Sequence, residues 1–317
     1  MNSKIKKFLK ITLPLALGVA LVWYSLSDID TNEFIGYFKN ANYWWIALGL
    51  FFGILSHLSR AYRWKFMLEP LGFQPKFPNS VMAVLVAYLV NYTIPRAGEA
   101  SRAAVMTNYE GVPFEKGFGT IVAERVADLV MMLTIVAITL FMQFDFIWQL
   151  LTENFDPLKI GILLAGLLVA FIFFVLFIKK AKSGFGLKVK TFVTGLIEGV
   201  MSIFKMKNKW AFIFHTVFIW LMYVLMFWAT IPAVEGLNVP IGGILVGFIA
   251  GGFSIAATNG GIGLYPVAVT GAFLLFGVSE DLGRAFGWIM WTAQTAMIIV
   301  FGGLSFLLLP IYNKNKN

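Results

Sequence analysis

Cysteine is absent from the 317 residues, and His57 and His215 are the only imidazoles. This excludes disulfides and thiol chemistry and deprives a zinc centre of its usual ligands. The two histidines are read as structural or interfacial, and no metal and no cofactor are expected. Charge is scarce too, since 13% of the residues are Asp, Glu, Lys or Arg, roughly half the share of an ordinary soluble domain. Serine and cysteine nucleophile motifs, a nucleotide phosphate loop and carboxylates at metal spacing are all missing. The chain is therefore expected not to be an enzyme.

What is present in quantity is hydrocarbon: 59% of the residues are hydrophobic. A bilayer core needs about 20 apolar residues in a helix, and runs of that kind recur along the whole chain with short polar gaps. The expected fold is all-α, a polytopic membrane helix bundle. Strong spans are read at 8–26, 43–60, 118–142, 160–178, 210–231 and 285–310. The first follows Lys4, Lys6, Lys7 and Lys10 and resembles a signal peptide; an uncleaved span is favoured, and either reading puts the N-terminus in the cytoplasm.

The formal charge of +9 sits in a few juxtamembrane clusters, so it points to orientation and anionic lipid rather than to nucleic acid. The loop 27–42 is acidic, the stretch from Arg60 to Lys76 is basic, the loop 143–158 is acidic, and Lys179 to Lys209 is lysine-rich. With Lys314 and Lys316 these place both termini inside. Two segments then have both ends on one side. The segment 79–117 is an apolar run broken at Pro95-Arg96; the segment 241–278 is broken at Thr258-Asn259-Gly260-Gly261-Ile262-Gly263. Each is read as a re-entrant hairpin, with a pair of full spans as the alternative, giving about six full spans plus two hairpins.

A shift of about 165 residues sets Pro95–Gly98 beside Gly260–Gly263, and similar shifts set Gly111-Val112 beside Gly277-Val278 and Phe118-Gly119 beside Phe286-Gly287. Residues 1–158 and 159–317 therefore read as two inverted-repeat halves of one integral membrane domain, the usual construction of secondary transporters.

Ionised side chains inside such a bundle are functional candidates, because each costs about 2.5 to 3.5 kcal/mol to insert. Glu124 and Asp128 lie one turn apart on the helix that begins near Phe118, with Arg125 between them. Their expected partners are Arg96, Glu99 and Arg102 of the first hairpin. The six either form a mutually paired network that fixes the hairpin or offer guanidiniums to a ligand phosphate, which they bind as a fork. Glu99, Glu124 and Asp128 are the candidates for coupling. Arg60 and Arg63, beside Trp64 and Lys65, read as interfacial anchors or as headgroup contacts at a cytoplasmic mouth. Asn259, Gly260, Gly261 and Gly263 either cradle an anion or merely permit a tight turn. Asn91 and Gln294 are less specific polar candidates.

Three stretches together resemble the lysylphosphatidylglycerol synthase transmembrane, or flippase-like, family, which includes the membrane part of the multiple peptide resistance factor. They are Arg60-Ala61-Tyr62-Arg63-Trp64, Pro95-Arg96-Ala97-Gly98-Glu99 with Arg102, and Glu124-Arg125 with Asp128. The resemblance implies movement of lipids between leaflets, aminoacylated phosphatidylglycerol in the best-known branch and lipid-linked sugars in others. Two departures stand out: Asn259 precedes Gly260-Gly261 where the family often has a proline, and Pro266 stands where an acidic residue is usual. The family's aminoacyl-transfer domain has no counterpart after residue 317, so the chain is expected not to make the lipid it moves. The expected function is a flippase or scramblase for a phosphate-bearing lipid. An ion-coupled transporter of a small polar solute and a membrane enzyme acting on a lipid phosphate are the alternatives. Expected partners are membrane lipids, anionic or phosphate-bearing, with a second copy of the chain and a separate lipid-modifying enzyme as further partners. The expected location is the cytoplasmic membrane of a prokaryote.

Overall fold

The computed structural model describes residues 30–94, 96–154, 156–180 and 206–314, with isolated positions at 20–23 and 183–203. Most of the first span at 8–26, the break residue Pro95 and most of the lysine-rich loop lie outside the described residues. Regular structure among the described residues is helical throughout. The helices are α1 (Thr31–Lys39), α2 (Tyr43–Leu68), α3 (Phe77–Thr93), α4 (Gly98–Glu110), α5 (Phe114–Met142), α6 (Phe144–Asn154), α7 (Pro157–Lys180), α8 (Lys209–Thr230), α9 (Ile241–Ala257), α10 (Leu264–Leu274) and α11 (Glu280–Tyr312).

Three of these, α5, α8 with its following turn, and α11, are long and apolar enough to cross a membrane; a fourth arises if α1 and α2, bent by 74°, are counted as one span. Two expected loops carry helices of their own, α1 within 27–42 and α6 within 143–158. Local chemistry explains several ends. Asp30 and Asn42 each accept a backbone N–H two residues on, capping α1 and α2, and Gly111 closes α4 in the left-handed conformation.

The chain forms two compact units, Met1–Glu124 with Trp210–Asn317, and Arg125–Lys209. The larger unit draws on both sequence halves. Its core gathers on Phe227, Phe273 and Phe286, whose rings meet at centroid distances of 4.9 to 6.1 Å. A glycine stripe on α9 admits these rings: a Cβ at Gly247 would stand 2.6 Å from Phe273.

Helix α11 organises this unit. At 33 residues it is about 50 Å long, and a short helix packs antiparallel along each half. Against its C-terminal half runs α3: Asn79 bonds Asn313, Met82 and Val86 cluster with Leu309, Leu85 and Leu89 approach Gly302, and Tyr92 reaches Thr295. Against its N-terminal half runs α10, with Thr270 at Gly283, Pro266 at Gly287 and Gly261 at Trp291. Each short helix is one limb of a hairpin whose open ends lie together. Asn79 at the start of α3 donates to Glu110 at the end of α4, and Gly243 at the start of α9 adjoins the ring of Phe276, just past α10. The two hairpins therefore approach along α11 from its opposite ends, and their broken tips face each other at its middle.

Candidate functional site

The chemistry in the larger unit concentrates on one carboxylate. Arg60 and Arg63 stand three apart, hence on one face of α2; Arg102 comes from α4, Glu124 from α5 and Thr216 from α8. Arg60 Nη1 donates to Glu124 Oε1 at 2.6 Å and Arg102 Nη1 donates to the same oxygen at 3.0 Å, while Arg63 Nη2 lies 3.2 Å from it. Arg63 Nη1 also donates to Thr216 Oγ1 at 2.8 Å. Arg63 and Glu124 are 0% exposed, and Arg60 and Arg102 are buried with them.

Two aromatic rings wall this cage. The Arg102 guanidinium lies 3.9 Å above the Trp64 ring, and the Trp64 indole donates to Thr120 Oγ1 at 2.8 Å. Arg63 stands 5.2 Å from the centroid of Phe212. Cation–π contact of this kind strengthens when water is excluded. Arg102 precedes Glu110 by eight positions, which sets the cage roughly 12 Å from the open end of the hairpin along the helix.

Arg60 and Arg63 are thus not interfacial anchors. Helix α2 runs on to Leu68, past the expected end at 60, and carries both arginines inward. Of the six residues expected to form one network, Arg102 pairs with Glu124 and Arg125 with Asp128. Arg102 and Glu124 join the cage. Arg125 is 43% exposed at its side chain and pairs with Asp128 at 3.5 Å within the other compact unit. Arg96 is exposed, at the first break, with a positive φ of 59°. Few non-glycine residues take that conformation, which marks a held geometry. Glu99 is half-buried in the first turn of α4.

The second focus is the meeting of the hairpin tips. The Tyr92 ring lies against Gly260, so close that a Cβ there would collide with it, and Gly260 has φ 65° besides. Only glycine satisfies both demands. The Gly260 carbonyl accepts from the Trp291 indole at 2.9 Å, and the Tyr92 hydroxyl lies 3.2 Å from Thr295 Oγ1. Tyr265 packs on Gly251 and its hydroxyl lies against Gln294. At the first tip, Asn91 Oδ1 accepts from the Gly98 backbone at 2.8 Å, closing the break.

Thr216, Tyr92, Trp291 and Thr295 were not singled out from sequence. An indole, a phenol and hydroxyls inside otherwise apolar runs were the available signal, and each had an unremarkable reading as packing. His215 Nδ1 bonds Ser59 Oγ at 2.8 Å, and His57 packs against Tyr88 at a centroid distance of 4.6 Å. Among the described residues no three His, Cys, Asp or Glu side chains are placed to hold a metal.

The chain is 30% identical over 125 residues to a UPF0104 membrane protein of Methanocaldococcus jannaschii, covering 38% of this chain and 37% of that protein. It is 28% identical over 129 residues to the glycosyltransferase AglD of Haloferax volcanii, covering 40% of this chain and 21% of that one. A UPF0104 membrane protein of Methanothermobacter thermautotrophicus is 34% identical over 70 residues, 22% of this chain and 20% of its own. The matches span well under half of each relative. The family described as the lysylphosphatidylglycerol synthase TM region matches residues 11–303, nearly the whole length, and the chain belongs to that family.

Proposed function

We propose that the chain moves a phosphate-bearing lipid between the leaflets of a membrane, without catalysing a covalent reaction. The observation that carries this reading is the cage: three guanidiniums gathered on the Glu124 carboxylate, inside a bundle of apolar helices. Charges are retained at such depth when a function needs them. A guanidinium presents a planar fork that fits phosphate as well as carboxylate, so a lipid phosphate can take contacts that Glu124 holds at rest.

The opposed hairpins support translocation over simple binding. Two halves of like construction, long helix, two short helices and long helix, supply two packings of similar energy, which is what alternating access requires. On this reading the first hairpin opens to the cytoplasm, the second to the outside, and α11 spans between them. The residues 1–158 and 159–317 are then an inverted repeat in a prokaryotic cytoplasmic membrane, with both termini inside. AglD is a glycosyltransferase by name, and a lipid-linked glycan is one form that a phosphate-bearing substrate takes.

Reconstitution tests the proposal. Purified protein in vesicles containing a fluorescent phosphatidylglycerol should speed exchange between leaflets, read as the fraction of label that a membrane-impermeant quencher reaches. Arg102→Ala should abolish the acceleration in protein that still folds. Exchange no faster than in empty vesicles for every phosphate-bearing lipid offered would defeat the reading.

A further inference from the structure

Helix α11 brings a set of neutral hydrogen-bonding groups to the place where the two hairpin tips meet. Asn259 is 6% exposed, and its Nδ2 is buried and meets no acceptor among the described residues. The same holds for the Trp288 indole Nε1. Contacts join these donors into one locality. Asn259 adjoins Gly260, which bears the Tyr92 ring and accepts from Trp291. Trp288 meets Trp291 edge-on at 5.7 Å, and Gln294 reaches the Tyr265 hydroxyl beside Gly261.

Buried amide and indole donors are ordinarily matched. Two unmatched donors beside one broken-helix junction, with the Gln294 amide next to them and flat aromatic rings on their flank, are the makings of a ligand site. The chemistry of the set names the ligand class. Each donor is uncharged, and Arg96, on the facing break, is exposed and not buried among them. An ionised oxygen drawn out of water needs a cation beside it, and the cage, not the junction, supplies cations. Hydroxyl oxygens accept from amides and indoles without that requirement, and hydroxyl groups can donate in return to the Asn259 and Gln294 carbonyl oxygens. Ring faces cover the C–H surface of a polyol.

We propose that the hairpin junction is a second subsite, separate from the arginine cage, that binds a neutral polyhydroxyl group such as the sugar or glycerol portion of a lipid headgroup. It rests on the reading of the chain as a lipid carrier, and it gives that lipid a headgroup with hydroxyls beyond its phosphate. The cage takes the phosphate and the junction takes the hydroxyls, so selection between headgroups falls to Asn259 and Gln294.

Three short-chain lipids with identical acyl chains separate the two subsites: phosphatidic acid, phosphatidylglycerol and an uncharged monoglucosyl diacylglycerol. Their affinities for the full chain in detergent are read by calorimetric titration. The glucosyl lipid should bind the native protein, and Gln294→Met and Asn259→Ala should each weaken it at least fivefold relative to phosphatidic acid. Gln294→Met is nearly isosteric, so it carries the test if Asn259→Ala does not fold. The subsite is overturned if the native chain ignores the glucosyl lipid, or if Gln294→Met lowers all three affinities by one factor, as a purely structural role would. Failure to bind phosphatidic acid alongside intact glucosyl binding would instead overturn the phosphate reading of the cage and leave the junction standing.

Discussion

Arg60 and Glu124 stand 64 positions apart in the chain and 2.6 Å apart in the fold. Their pairing ties α2 to α5, and the same carboxylate oxygen ties both to α4 through Arg102. A buried ion pair is weak evidence for net stability, because two desolvated charges offset much of their own attraction. Removing one partner is costly, since it strands the other.

The first prediction follows. Glu124→Gln leaves three buried guanidiniums facing a neutral amide and should cost about 3 to 5 kcal/mol. Unfolding of the purified protein in detergent, followed by tryptophan fluorescence, should shift accordingly. An unchanged transition would mean that the guanidiniums do not depend on Glu124.

Arg102 serves through shape as well as charge, with its guanidinium carbon 3.9 Å from the centroid of the Trp64 ring. Lysine keeps the charge and loses both the stacking and the fork. Arg102→Lys should therefore slow lipid exchange at least tenfold, about 1.4 kcal/mol on the barrier, while the protein remains folded. Exchange at the native rate would show that a point charge suffices and that the planar geometry is incidental.

The bundle class, the two broken segments and the pairing of Arg102 with Glu124 were legible because charge and glycine punctuate an apolar sequence sharply. The composition of the cage was not. Arg60 and Arg63 follow an apolar run and precede Lys65, so they read as the end of a span, whereas the helix continues for two further turns and draws them inside. Which acid they meet depends on packing among helices far apart in sequence, and helical periodicity carries no information about that. The junction was half legible: Gly260 announces a turn, but nothing local announces that Tyr92, 168 positions earlier by number, supplies the ring that covers it.

That contact yields a third prediction. Gly260→Ala adds a methyl group against the Tyr92 ring at a backbone φ of 65°, and the strain should cost about 1 to 3 kcal/mol. Tyr92→Ala alone removes the ring. If the ring is the obstacle, the double variant should be more stable than the sum of the single losses by over 0.5 kcal/mol, the coupling expected of touching residues. Strict additivity would mean that only the backbone conformation matters.

The last prediction concerns the opposed hairpins, and the absence of native cysteine makes it direct. Gln74 is exposed just before α3, at the open end of the first hairpin, and Asn238 is exposed just before α9, at the open end of the second. Contacts along α11 put these two entrances at opposite ends of a helix about 50 Å long, which exceeds the roughly 30 Å of the hydrocarbon core. With α11 crossing the membrane as proposed, the two entrances lie on opposite sides. In oriented membranes, Gln74→Cys should react with a membrane-impermeant maleimide only from the cytoplasmic face and Asn238→Cys only from the outer face. Both positions are exposed and outside helices, so neither substitution should disturb the fold. Labelling of both from one face would contradict opposed entry, and with it the two-sided access on which the proposed lipid translocation depends.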